Sequence, residues 1–137
     1  MIKYELQAET PSKKNNRTFS SRSHTLLYSD RYKAWHEYVA LKLKPVIKEC
    51  IKDKCYIVLI FCHENNRRRD SDNGVNSIFD ALQDFKALED DRWQIVRNHH
   101  VFNCMDKGNP WCKIFIFKPE EKDEYKKMIM ACIEQFE

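Results

Sequence analysis

The residues best suited to chemistry lie in two runs, Arg67-Arg68-Arg69-Asp70-Ser71-Asp72-Asn73 and Glu89-Asp90-Asp91. Between them, residues 73–86 carry Val75, Ile78, Phe79, Leu82 and Phe85 at helical spacing. The first run therefore joins an apolar strand to this helix, and the second joins the helix to the next strand. Two carboxylates one residue apart at such a junction can converge on one point while the flanking arginines face another. Separate acidic clusters at the ends of elements that meet in a sheet can assemble into a pocket for a hard divalent cation. Magnesium prefers oxygen ligands and keeps several waters, one of which can become a nucleophile. Isolated acids are usually solvated, and Asp72 or Asn73 would also serve as a helix cap. Capping explains one residue, not five carboxylates and three arginines around one helix.

Asn73, Asn76, Asp80 and Asp84 follow i, i+3, i+7, i+11, a polar stripe opposite the apolar one. Asp80 is one turn from Asn76 and placed to support the site, whereas a solvated face accounts for Asp84. A calcium loop does not fit: Gly74 is fifth rather than sixth from Asp70, and the twelfth residue is Ala81. An aspartate-nucleophile phosphatase does not fit either, because seven polar residues separate Cys62 from Asp70. His99 and His100, as strand neighbours, point to opposite faces.

The elements that must position these residues follow the order β-α-β-α-β-β-α, an α+β domain with a mixed sheet and helices packed against it. Residues 2–8 alternate apolar and polar, as in a strand with one buried face. Thr10 to Ser29 reads as a long polar loop with room for a short hairpin. Residues 30–51 read as a helix through Trp35, Val39, Leu43, Val46 and Cys50, kinked or broken at Pro45. Residues 55–62 are continuously apolar, as in a strand buried on both faces. Strands at 93–103 and 111–118 are joined by the turn Asp106-Lys107-Gly108-Asn109-Pro110. Residues 119–137 add a C-terminal helical extension, with Tyr125, Met128, Ile129, Cys132 and Phe136 inward.

A chain of 137 residues accommodates one domain, here 1–137. Its longest apolar run, Tyr56 to Cys62, is too short to span a bilayer, and the start Met-Ile-Lys-Tyr-Glu-Leu is no secretory signal. A cytoplasmic protein without membrane contact is expected. The six cysteines show no C-x-x-C spacing and read as reduced structural thiols. Cys104 and Cys112, equidistant from Gly108, would face each other across a hairpin; a zinc site joining them to His99 or His100 lacks finger-like spacing. The net charge of +3 is split: residues 1–69 hold 15 Lys and Arg against 7 Asp and Glu, and residues 70–137 hold 9 against 14. A basic half of this kind suits a polyanion, since each neutralised phosphate releases counterions. A uniform coat for solubility would not change sign at Asp70.

Asp70-Ser71-Asp72-Asn73, then Phe79-Asp80-Ala81-Leu82, then Glu89-Asp90-Asp91 with Ile95 resembles the signature of the RusA family of Holliday-junction resolvases. The likeness extends to Pro11-Ser12-Lys13-Lys14-Asn15-Asn16-Arg17, similar to that family's proline-serine-asparagine loop, and to Lys107-Gly108, covering about residues 2–118. The resemblance implies a homodimer that binds four-way DNA junctions and cuts them symmetrically with magnesium, manganese being an alternative. It implies that Asp70, Asp72 and Asp91 hold the metal and carry catalysis, with Asp80 and Asp90 in support. Lys13, Lys14, Arg17, Arg67, Arg68, Arg69 and Lys107 would hold the DNA backbone without reading sequence. One departure stands out: the family usually has a lysine where this chain has Asn76, which donates only a neutral hydrogen bond. Lys86 is too far along the helix to replace it, and Arg69 is the nearer alternative. A non-catalytic binder of branched DNA therefore stays open beside the active resolvase, as does an interaction protein whose acidic clusters are only surface.

Overall fold

The computed structural model describes residues 1–13, 17–20 and 25–137. The elements are β1 (Ile2–Leu6), β2 (Arg17–Ser20), β3 (Thr25–Tyr28), α1 (Asp30–Leu43), β4 (Cys55–His63), α2 (Ser71–Asp84), β5 (Val96–Met105), β6 (Trp111–Phe117) and α3 (Lys122–Phe136). The α+β order read from the sequence holds, with β2 and β3 pairing antiparallel as a separate hairpin inside the long polar segment.

The main sheet runs β1-β6-β4-β5. Strand β4 is parallel to β5, and β6 is antiparallel to both β4 and β1. Every residue of β4 from Cys55 to Cys62 is buried, because both of its faces are covered. On one face Cys55, Ile57, Leu59 and Phe61 pack with α1 and α2 residues such as Trp35, Val39, Ile78 and Leu82. On the other, Tyr56, Val58 and Ile60 pack with Phe115, Phe117 and the α3 residues Tyr125 and Cys132. The C-terminal helix is thus half of the core's cover, and its inward residues are those the periodicity marks.

Two expectations change. The last two strands are not a hairpin, because β4 lies between them. Their connection crosses the end of β4, where Asp106 N–H donates to His63 O at 3.0 Å and Gly108 N–H to Glu64 O at 3.0 Å. Gly108 takes a φ of 70°, a conformation that glycine adopts without strain. Cys104 therefore sits opposite Cys62, and Cys112 opposite Phe61, on either side of β4. The other change is at α1: it breaks at Pro45, as expected, but ends at Leu43 and does not resume as a helix before residue 51. Val46 and Ile47 N–H both turn back onto Leu43 O at 3.0 Å, and proline at 45 cannot donate to a continuing ladder. Val46 is consequently 52% exposed.

The β4–α2–β5 unit positions the acidic runs. A Cβ on Gly74 would stand 3.4 Å from the Phe61 ring, so the first turn of α2 sits directly on the end of β4. Beyond α2, Glu89 N–H donates to Ile51 O at 2.9 Å and Ile51 N–H to Ala87 O at 3.0 Å. That exchange fixes where Glu89, Asp90 and Asp91 leave the helix. Among the described residues, no helix is long and apolar enough to cross a membrane.

Candidate active site

Two concavities flank the start of α2. The first, a cleft of about 600 Å³, is lined by Arg31, Arg67, Arg68, Asp70, Asn73 and Asn103, among others. The second, a groove of about 730 Å³ between α2 and edge strand β5, is lined by Asp72, Asn76, Asp91, Trp93, Arg97 and His99, with apolar residues between. One is built around cations, the other around carboxylates.

Asp70 is the N-cap of α2 with extended backbone (φ −79°, ψ 125°), yet its side chain makes no capping bond to the helix N–H groups. It accepts a long hydrogen bond, 3.5 Å, from Asn73 Nδ2. Asn73, expected on the polar stripe, is buried. Asp72 is exposed on the first turn, one helical turn before Asn76. Asp91 follows the helix, and its carboxyl is raised above the usual range by burial and then by the negative charges of Asp90 and Asp80. Asp70, Asp72 and Asp91 are not gathered in one cluster: Asp72 and Asp91 share the groove, and Asp70 lines the cleft. Among the described residues, no three His, Cys, Asp or Glu side chains are grouped to hold an ion.

The remaining acids around α2 have basic partners. Asp80 accepts from Lys13 Nζ at 3.1 Å. Asp84 is 2.9 Å from His36 Nε2 on α1, so its side of the helix is a contact rather than a purely solvated face. Asp90 accepts from Arg92 Nη1 at 3.0 Å, and that bond holds its pKa below the ordinary value. Arg92 also reaches Glu89 at 3.5 Å. Among the described residues, Asp72 and Asp91 enter no ion pair. Asp70 enters none either, but it lines the cleft, so Asp72 and Asp91 are the two unpaired acids that share the groove.

The basic side is organised by residues that the sequence did not single out. Glu9 lies just past β1, and its side chain is only 8% exposed. Its Oε1 is 2.7 Å from Arg69 Nη2, and its Oε2 is 3.0 Å from His63 Nδ1. Arg69 also donates to Asn65 O and Arg67 O at 3.0 Å, while His63 Nε2 meets Asn103 Oδ1 at 2.9 Å. Burial alone would raise the Glu9 pKa, but the His63 hydrogen bond and the charges of His63 and Arg69 outweigh it and lower the value. His63 is raised in turn, chiefly by its bond to Glu9. Arg69 is thus a staple of its loop, whereas Arg67 and Arg68 are exposed on the rim of the cleft.

The proline-serine segment reaches the same helix. Ser77, fully buried, donates to Pro11 O at 2.6 Å and accepts from Lys13 N–H at 3.1 Å. That pins residues 11–13 to α2 and brings the Lys13 ammonium to Asp80. Lys14 lies outside the described residues; Arg17 begins β2, where it pairs with Tyr28. Lys107 is exposed beside Gly108. His99 and His100 do point to opposite faces: His99 stands edge-on to Phe79 of α2, and His100 Nδ1 is 2.7 Å from the Tyr125 hydroxyl of α3.

The groove's donor set suits a hard cation. Magnesium is commonly bound through one or two carboxylates together with phosphate oxygens and waters, and Asp72 and Asp91 are carboxylates without a competing cationic partner. No protein-family model matches this chain, and no curated protein is significantly similar to it in sequence.

Proposed function

We propose that the chain is a magnesium-dependent DNA endonuclease that resolves four-way junctions, acting as a homodimer in the cytoplasm. The observation that carries the reading is the separation of charge across the first turn of α2. Unpaired Asp72 and Asp91 lie on one side, and the exposed Arg67 and Arg68 lie on the other, with the resemblance to the RusA signature falling on these same runs.

In this reading Arg67, Arg68 and Arg31 hold backbone phosphates, and the Glu9–Arg69–His63 network holds the loop that presents them. Asp72 and Asp91 would hold magnesium, or manganese, which supplies an activated water and charge neutralisation at the phosphodiester. Asp80 and Asp90, neutralised by Lys13 and Arg92, shape the potential around Asp91 rather than binding substrate. A homodimer presents two such grooves, as symmetric incision requires.

A second reading, a non-catalytic binder of branched DNA, is favoured by Asn76, which offers the groove a neutral donor. Against it, Arg97 lines the same groove and brings a permanent cation. The test is a synthetic four-way junction incubated with the protein and magnesium. Symmetric cuts support the first reading, a gel shift without cuts supports the second, and no interaction removes both.

A further inference from the structure

Trp93 is out of place in a folded chain. It lies in the turn between Asp91 and β5 and is 65% exposed, although a side chain of this size usually buries most of its surface. The Arg97 guanidinium stands 5.3 Å from its ring centroid, a cation–π contact. Trp93 and Arg97 also line the groove that contains Asp72 and Asp91. A flat aromatic surface with a cation behind it is what single-stranded nucleic-acid sites use to hold a base.

We propose that Trp93 and Arg97 form a shelf on which a nucleobase unstacked at the DNA branch point rests, so that branched DNA is preferred over continuous duplex. The inference builds on the endonuclease reading and adds how that site would select its substrate. In a continuous duplex each base is stacked on its neighbours and has no free face. At a branch point stacking is interrupted, and the base that is released can place its face on the indole. The preference is one of shape, because every base has such a face, and it requires no hydrogen bond to a base edge.

The experiment measures binding without cleavage, in chelator, of a four-way junction carrying 2-aminopurine at the branch point and of a linear duplex of the same sequence. Trp93→Ala is expected to weaken junction binding about tenfold while leaving duplex binding unchanged, and to abolish the fluorescence change at the branch base. Trp93→Phe should retain most of both. Because Trp93 is exposed, the thermal unfolding of Trp93→Ala should match that of the parent chain. A Trp93→Ala protein with an unaltered junction-to-duplex ratio overturns the shelf alone, provided the parent chain binds and cuts junctions. A Trp93→Ala protein that sediments as a monomer where the parent is a dimer also overturns it, assigning the ring to an interface between copies. If the parent chain binds no DNA, the endonuclease reading and the shelf fall together.

Discussion

The cleft and the groove on either side of α2 are made by different rules. Beside the cleft, the nearly enclosed Glu9 side chain is matched by Arg69 and His63, and His63 by Asn103, so the loop is braced from within the chain. In the groove, Asp72 and Asp91 enter no ion pair among the described residues, and the Asp91 carboxyl is raised by burial and then by the charges of Asp90 and Asp80. Networks satisfied within the chain provide stability and positioning. Charges left unsatisfied cost stability and are a signature of sites whose partner comes from outside. On the proposed reading, the cleft side holds the DNA backbone on a loop braced from within, and the groove side carries the chemistry.

If that division holds, the largest effect on folding should come from the satisfied side. Glu9→Ala leaves His63 and Arg69 facing each other without their carboxylate. Breaking a buried pair costs about 3–5 kcal/mol; because both partners are partly exposed here, about 2 kcal/mol is expected. Urea unfolding of the two proteins measures it, and a loss comparable to that of an ordinary surface change would mean that the network is incidental.

DNA binding should separate the arginines from one another. Neutralising both Arg67 and Arg68 is expected to flatten the dependence of log affinity on log salt by about 1.8, at about 0.9 per phosphate contact. Arg69→Gln should change that slope less, because its guanidinium is already committed to Glu9 and to loop carbonyls. An equal effect from all three would erase the distinction between staple and clamp.

Asn76→Lys sharpens the comparison from the groove side. A lysine four residues after Asp72, on the same helix, brings a cation to the groove with little cost in helix propensity. Single-turnover cleavage at saturating magnesium should rise several-fold, about 1 kcal/mol in the barrier. Unchanged, substantial rates would show that Arg97 or the metal already supplies that charge.

The smallest effect is a dependence on pH. His63 is raised above its ordinary 6.5, so its contribution is complete below that value and is lost as pH climbs through the raised one. Glu9 is lowered from 4.5, so its contribution is complete above that value and is lost only in stronger acid. The pair should therefore help most between these two ordinary values. The stability difference between the parent and His63→Gln, measured by urea unfolding, should shrink from about pH 6 to about pH 8.

Much of this architecture is legible in the sequence. β4 announced itself by an unbroken apolar run, and α2 by a clear apolar stripe, so the acids at its two ends could be placed. What stayed hidden depends on distant partners. The turn at Asp106–Pro110 carries every local mark of a hairpin, and nothing local says that β4 inserts between the strands it joins. Glu9 reads as one more acid in a polar segment, because His63 lies 54 residues away. Lys13 reads as a free base for phosphate until Asp80, 67 residues on, takes its ammonium. Trp93 was masked by its position, in a turn where periodicity assigns no face.

On the proposed reading Asp72 and Asp91, which share the groove without an ion pair, jointly serve the cutting of junction DNA. Single-turnover cleavage of a synthetic four-way junction at saturating magnesium, by the parent, Asp72→Asn and Asp91→Asn, tests it most directly. Both variants should cut at least about a hundredfold more slowly, about 2.7 kcal/mol in the barrier, while binding the junction as tightly as the parent or more so. Cleavage at the parental rate by either variant would show that its carboxylate is not needed for cutting.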